Sequence, residues 1–368
     1  MSDGPLLKIE GLRTYFFSRS RRAFVRSVDG ADMQIARGET LGVVGESGSG
    51  KSVTALSVMG LVSGFPGVIA GRIDLAANGT RRELLRGLDE CVELSRGEDG
   101  TILSLSKDVV AWERRAEALM EGVRGKSAAM IFQNPKSSLN PFMTVGAQIA
   151  EAVRLHTAHK EPAEASERAL YWLERVRMDS PRLRLGNYPR ALSGGMCQRA
   201  MVAMALAAEP AFLIADEPTT GLDATIQSKI ADLFEEIKAD LGITTMLISH
   251  DIGLIRRLAD RVAVMYAGMV VESGPAAEVL SDDPATGHPY TAALLRSVPG
   301  RRHAAGHEHL APIPGDAPDA INLPNGCRFY GRCDRVTDAV RDRCAGRIPP
   351  PTAVSPGRAV RCWLREDA

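Results

Sequence analysis

Gly45-Glu46-Ser47-Gly48-Ser49-Gly50-Lys51-Ser52 is the stretch on which the reading of this chain turns. The apolar run at 41–44 precedes it and reads as a buried strand, and residues 53–59 follow with helical character. Strand, glycine-rich turn and helix form the context in which a G-x-x-x-x-G-K-[ST] match signifies phosphate binding. Glycines let backbone N–H groups crowd around a triphosphate without Cβ clashes, and the helix N-terminus adds partial positive charge. Lys51 is placed to reach the β- and γ-phosphates, and the Ser52 hydroxyl to ligate Mg²⁺. The plainer alternative is an ordinary flexible glycine turn, but a chain of this length would show the pattern by chance only roughly once in a hundred cases.

Composition sets the bounds around this site. A chain of 368 residues can bury a substantial core, and two domains are the natural expectation. Hydrophobic residues make up 45% and charged residues 24%, which is ordinary for a globular protein. Lys+Arg and Asp+Glu both number 45, and this balance argues against wholesale nucleic-acid binding. No apolar stretch approaches the ~20 residues that span a bilayer; the longest, 200–215, is broken by Glu209-Pro210. The first residues lack the basic and apolar regions of a signal peptide, so a cytoplasmic location is expected and any membrane role must come through a partner.

Along the chain, residues 6–17 read as an edge strand and 24–35 as a strand pair. Residues 71–75, with Asn78-Gly79 after them, suggest a strand and a tight turn. Residues 80–127 carry no strong apolar stripe and read as a surface insertion, with 112–121 a candidate helix. A buried strand is expected at 128–132, then helices over 145–176 with Ile149, Val153, Leu170, Leu173 and Val176 for a core. A further helix should run from Leu192-Ser193-Gly194-Gly195 to Ala208, a strand over 212–215, a helix over 226–241 and a strand over 244–249. A helix near 254–260 and a hairpin around Ala267-Gly268 complete this part. After Pro284 proline, glycine, arginine and cysteine rise, which marks a separate C-terminal extension.

Asp216-Glu217 closes an apolar run, a place from which carboxylates face a phosphate loop in a parallel sheet. Asp216 would then hold the Mg²⁺ shell, and Glu217 would polarise the attacking water or take its proton. Alone such a pair is more often a solvated turn, and Gln133 and His250 alone say little. In this order they are specific. Leu192-Ser193-Gly194-Gly195-Met196-Cys197-Gln198-Arg199 resembles the signature motif of ATP-binding-cassette ATPases, a serine and two glycines at a helix N-terminus. The resemblance implies two ATPase domains paired head to tail. Ser193, Gly194 and Gly195 of one would cover the γ-phosphate held by the other. It further implies that Gln133 senses Mg²⁺ and the membrane partner, that Gly221-Leu222-Asp223 crosses the dimer interface, and that His250 lies near the γ-phosphate. Phe16, with Tyr15 as the second choice, falls where an aromatic stacks on adenine.

The phosphate loop, Met130-Ile131-Phe132-Gln133-Asn134-Pro135, Ser138-Leu139-Asn140-Pro141 and Gly287-His288-Pro289-Tyr290-Thr291 narrow the resemblance to the ATP-binding subunits of dipeptide/oligopeptide importers. The segment after Asn78-Gly79 exceeds that pattern by on the order of 25 residues, beyond a typical connection. The tail crowds in Cys327, Cys333, Cys344 and Cys362, while two cysteines serve the rest of the chain. Their spacing leaves zinc, iron–sulfur and no metal all open. The resemblance favours a [4Fe–4S] cluster, with zinc as the alternative, and the many nearby arginines are expected to favour thiolates. His303, His307 and His309 are weaker candidate ligands.

The expected architecture is an α/β P-loop ATPase domain over 1–283, with a helical subdomain near 136–208 and an insertion near 80–107. A cysteine-rich extension follows over 284–368. The implied function is ATP hydrolysis driving import of a peptide or related small solute. Its implied partners are a second ATPase subunit (a copy or a paralogue) and two transmembrane permease subunits, and the chain itself is expected to lie peripherally at the cytoplasmic face of the inner membrane. An extracytoplasmic solute-binding protein would act indirectly. The rival is a soluble cassette ATPase working on nucleic acid or ribosomes, which usually carries two cassettes or a long coiled-coil insertion.

Overall fold

The computed structural model of the chain describes residues 4–96, 102–281, 287–297 and 312–366. The expected boundary at 284 and the three tail histidines lie outside them. Three sheets are present among the described residues. The first is antiparallel, in the order β2 (Ala23–Ile35), β1 (Leu7–Ser18), β4 (Pro66–Ala77), β5 (Thr80–Glu83). Residues 6–17 are therefore not an edge strand: β1 pairs with β2 on one side and β4 on the other. Residues 24–35 form one long strand, not two.

The second sheet has eight strands, ordered β13 (Thr352–Ser355), β14 (Arg358–Val360), β12 (Met269–Pro275), β11 (Arg261–Tyr266), β3 (Thr40–Val44), β10 (Thr244–Ile248), β9 (Phe212–Asp216), β8 (Ala128–Ile131). From β11 to β8 all neighbours are parallel, and helices connect them, as crossovers between parallel strands require. These strands are buried on both faces, so they read in sequence as unbroken apolar runs. Alternate residues serve opposite cores. Leu213, Ala215 and Leu247 face the helical side, whereas Phe212, Ile214, Met246 and Ile248 pack toward β1, β2 and β4.

The α-helices between β8 and β9 are Pro135–Ser138, Val145–His156, Pro162–Arg175, Pro181–Leu185 and Gly194–Ala207. Ile149, Val153, Leu173 and Val176 are buried as expected, but Leu170 is half-buried and Trp172 takes its place in the core. The insertion is not uniformly superficial. The helix Val109–Met120 buries Ala116 and Met120, and the preceding turn buries Leu84, Leu85 and Leu88 in the core shared with β1 and β4. Three closely spaced leucines on a turn give no helical or strand period, which hid them in the sequence. What projects is the hairpin β6 (Val92–Arg96) and β7 (Ile102–Lys107). Lys107 anchors its base by donating to the carbonyls of Pro66 (2.5 Å) and Val68 (3.2 Å).

The tail docks on the main sheet. β14 extends the main sheet by pairing with β12, Glu272 opposite Val360. Arg358 donates to Glu272 Oε1 through Nε (3.0 Å) and a terminal nitrogen (2.7 Å), with the two side chains 6% and 0% exposed. No helix among the described residues is long and apolar enough to cross a membrane.

Candidate active site

The loop 45–52 leaves the carboxyl end of β3, the centre of the parallel sheet, and enters the helix Lys51–Val58. Gly45 (φ +152°) and Gly50 (φ +100°) are required sterically as well as conformationally. A Cβ on Gly45 would sit 2.2 Å from the Met265 carbonyl oxygen, and one on Gly50 2.4 Å from that of Ser27. Lys51 is 7% exposed and folds back on its own loop, Nζ donating to the carbonyls of Gly45 (2.8 Å) and Glu46 (2.9 Å). Burial lowers its pKa, against the opposing pull of Glu217, Asp216 and Glu46.

The neighbouring strands deliver the remaining groups to the same edge, as carboxyl ends of parallel strands do. Asp216 is the last residue of β9, and Ser52 Oγ donates to its Oδ1 at 3.0 Å. Burial chiefly raises the pKa of Asp216, opposed by that hydrogen bond, and Glu217 raises it further. A hydroxyl and a desolvated carboxylate in contact are hard oxygen donors of the kind Mg²⁺ takes, and a cation there would offset the desolvation. Glu217 follows with φ +49°, a left-handed backbone that is uncommon for a glutamate, fixed by its N–H on the Ile248 carbonyl at 2.9 Å.

Three side chains meet Glu217 Oε2: Gln133 Nε2 (3.1 Å), Thr220 Oγ1 (2.7 Å) and His250 Nδ1 (3.2 Å). Gln133 follows β8 and His250 follows β10, the two strands flanking β9. Sequence reasoning missed Thr220, because one threonine after an acidic pair carries no signal of its own.

Ser193 caps the helix Gly194–Ala207, its Oγ accepting from Met196 N at 3.3 Å. Beside it, a Cβ on Gly195 would meet Ile226 at 3.0 Å, so the signature packs on the helix capped by Asp223. Asp223 Oδ1 accepts from Ile226 N at 3.0 Å. The adenine platform loses one candidate. Tyr15 is 0% exposed and donates its hydroxyl to buried Asp29, so its ring belongs to the core. Phe16 is half-buried against the turn at Gly64 and keeps the role open to it.

The tail reaches this site, a contact that no local pattern announced. His288 caps the helix Pro289–Arg296, and Tyr290 within it accepts from the backbone N–H of Glu46 at 2.8 Å. Arg332 donates to both carboxylate oxygens of Glu46, at 2.8 and 3.1 Å.

Cys327, Cys333, Cys344 and Cys362 are free thiols that line one small, largely apolar pocket with Phe329 and Trp363. A soft, sulfur-only donor set of this kind suits zinc or iron–sulfur chemistry. Among the described residues, however, no group of three or more His, Cys, Asp or Glu side chains is arranged to hold a metal ion. The expected activation by arginines is outweighed by burial, although Arg335, Arg343 and Arg365 each act to favour a thiolate. Burial pushes Cys327 up to about 12 and raises the other three. Arginines of the tail also pair with carboxylates: Arg328 with Asp29, Arg332 with Glu46, Arg343 with Glu366 and Arg361 with Asp32.

Comparison with known proteins agrees with this geometry. The family described as "ABC transporter" matches residues 28–220, and "Oligopeptide/dipeptide transporter, C-terminal region" matches residues 271–339. A Brucella abortus protein named for peptide import and ATP binding is 42% identical, over 98% of each chain. The dipeptide transport ATP-binding protein DppD of Escherichia coli is 39% identical, over 98% of this chain and 97% of its own. Among solved structures, a dimeric ATP-binding cassette in a post-hydrolysis state with ADP and Pi shares the fold. Its TM-score is 0.57 at 20% identity, over 73% of this chain and 98% of that one. A phosphate loop, an acidic pair and a signature helix in this arrangement, matched along the whole chain, have one reading: the protein belongs to the ABC transporter family, as one of its ATP-binding, ATP-hydrolysing subunits.

Proposed function

We propose that this chain energises import of peptides or a related small solute by binding MgATP at 45–52 and hydrolysing it with Glu217 as general base. The observation that carries the reading is the convergence of Gln133, Thr220 and His250 on one oxygen of Glu217, next to the Ser52–Asp216 contact. A carboxylate so held has one face fixed by donors and is poised to take a proton from water. Ser52 and Asp216, with Gln133 nearby, would hold Mg²⁺, which on binding neutralises phosphate charge. Lys51 must leave the carbonyls of its own loop for the phosphates, so nucleotide exchanges one set of acceptors for another. Ser193, Gly194, Gly195 and Asp223 are assigned to the partner's nucleotide across a head-to-tail dimer, and Phe16 to adenine stacking.

The solute class comes from the relatives, whose names assign them to peptide and dipeptide transport. Their full-length match favours this over a soluble ATPase acting on nucleic acid or ribosomes. On this reading the chain lies peripherally at the cytoplasmic face of the inner membrane, with a second ATPase subunit and two permease subunits. A solute-binding protein acts from outside. Co-purification with permease subunits and peptide-stimulated ATP hydrolysis tests it; a chain that purifies with ribosomes or nucleic acid instead refutes it. The four tail cysteines are assigned to a [4Fe–4S] cluster, with zinc as the alternative, in a structural or redox-sensing role. Anaerobic purification should then give a brown protein with about four irons per chain. Stoichiometric zinc, or four freely alkylated thiols in the native protein, refutes the cluster.

A further inference from the structure

We infer that Arg332, carried by the C-terminal extension, is a positioning residue of the phosphate loop: it neutralises Glu46 and so leaves Lys51 for the nucleotide. This rests on reading 45–52 as the ATP site. Glu46 is the second residue of that loop, and it is clasped at both ends. Its carboxylate takes two parallel hydrogen bonds from Arg332, and its backbone N–H is taken by Tyr290. The guanidinium is 8% exposed and its donors are saturated. Besides Glu46 it bonds the Tyr266 hydroxyl (3.1 Å) and the carbonyls of Pro314 (2.7 Å) and Ile313 (3.4 Å). Such a fork is rigid and directional, which a lysine cannot reproduce.

The electrostatic consequence follows from what surrounds Lys51. Glu217, Asp216 and Glu46 all act on its buried ammonium. Two of them belong to the proposed catalytic and Mg²⁺ groups. Glu46 belongs to neither, and an unpaired Glu46 would attract Lys51 and repel phosphate in a partly desolvated loop where charges interact strongly. Arg332 removes that charge without contacting the nucleotide itself. It is also the residue directly before Cys333, so the thiol pocket and the phosphate loop are joined by one residue of chain.

The test is equilibrium MgATP binding to the full-length chain, with a charge-reversal logic that a purely structural strut does not satisfy. Arg332→Ala should weaken MgATP binding about tenfold, and Arg332→Lys, which keeps the charge without the fork, about threefold. Adding Glu46→Gln to Arg332→Ala should restore affinity to within about threefold of wild type, because the offending charge is gone. Should Arg332→Ala not fold, Arg332→Gln, which also removes the charge but keeps a donor and most of the volume, carries the same comparison with and without Glu46→Gln. Wild-type affinity in Arg332→Ala overturns the inference, and so does a double variant no tighter than the single. Lys51→Ala serves as the control: unchanged affinity there would instead overturn the phosphate-loop reading on which the inference rests.

Discussion

Replacing Arg358 by methionine should undock the C-terminal extension. In the native chain Glu272 is 0% exposed, and its carboxylate is satisfied by Arg358 on one oxygen and by the backbone N–H of His288 (2.8 Å) on the other. Methionine fills the apolar part of the arginine's volume but leaves a buried carboxylate with a single donor. Breaking a buried pair on one side costs about 3–5 kcal/mol, because the remaining charge is uncompensated. The cost falls on β14, whose pairing with β12 runs through Glu272 itself. Hydrogen exchange followed by mass spectrometry reads it directly, since amides of Arg358–Val360 exchange through opening of the extension. That energy corresponds to roughly 150- to 5000-fold faster exchange there. Strands β3, β9 and β10 should be little changed. Adding Glu272→Gln should recover at least about half of the loss, because the orphaned charge is removed. An acceleration of less than about tenfold, or no recovery in the double variant, would refute the claim that this ion pair fastens the extension.

Three further outcomes are expected. A Ser193→Arg chain mixed with a Lys51→Ala chain should regain one intact site if the chain homodimerises; activity no higher than in either alone counts against the signature serving the partner's nucleotide. Exchanging residues 92–106 for a short glycine-serine link should leave MgATP affinity within about threefold, whereas exchanging 80–107 should destabilise the fold by several kcal/mol, since it also removes buried Leu84, Leu85 and Leu88. Equal stability of the two variants in urea would show that those leucines add nothing. The third outcome concerns pH. His288 is buried and pushed down to about 3, so it stays neutral when folded while the unfolded imidazole protonates below about 6.5. The unfolded state then binds the extra proton. The stability from His288 is complete above that unfolded value and declines as pH falls toward the folded one, by about 2 kcal/mol at pH 5. Urea titrations at pH 7 and 5 should show this loss in wild type and less of it in His288→Asn; identical losses would contradict it.

The parallel core was legible in the sequence because its strands are buried on both faces and end in chemistry: Lys51 after β3, Asp216 closing β9, His250 after β10. The glycines at 45 and 50 were legible for the same reason, since no other residue satisfies both their φ and the carbonyls against them. What stayed hidden was set by contacts between segments far apart in the chain. Tyr15 and Phe16 are indistinguishable as aromatics on a strand until Asp29 claims the Tyr15 hydroxyl. The arginines of the tail read as a cationic shell for the cysteines, yet Arg328, Arg332, Arg343 and Arg361 pair with carboxylates, those of Asp29 and Glu46 among them. Arg332 and Glu46 are 286 residues apart, and no local pattern marks such a pair. The edge-strand reading of β1 failed similarly: its alternation is that of a half-buried strand, and which neighbours cover its sides depends on β4.

The most direct measurement is ATP turnover and nucleotide occupancy of Glu217→Gln in the assembled transporter. Glutamine preserves the size of the side chain at the meeting point of Gln133, Thr220 and His250 but cannot accept a proton from water. Turnover should fall by at least about a hundredfold while ATP remains bound and the paired ATPase subunits accumulate in a closed state. Near-normal turnover in that variant would remove Glu217 from the base role and contradict the account.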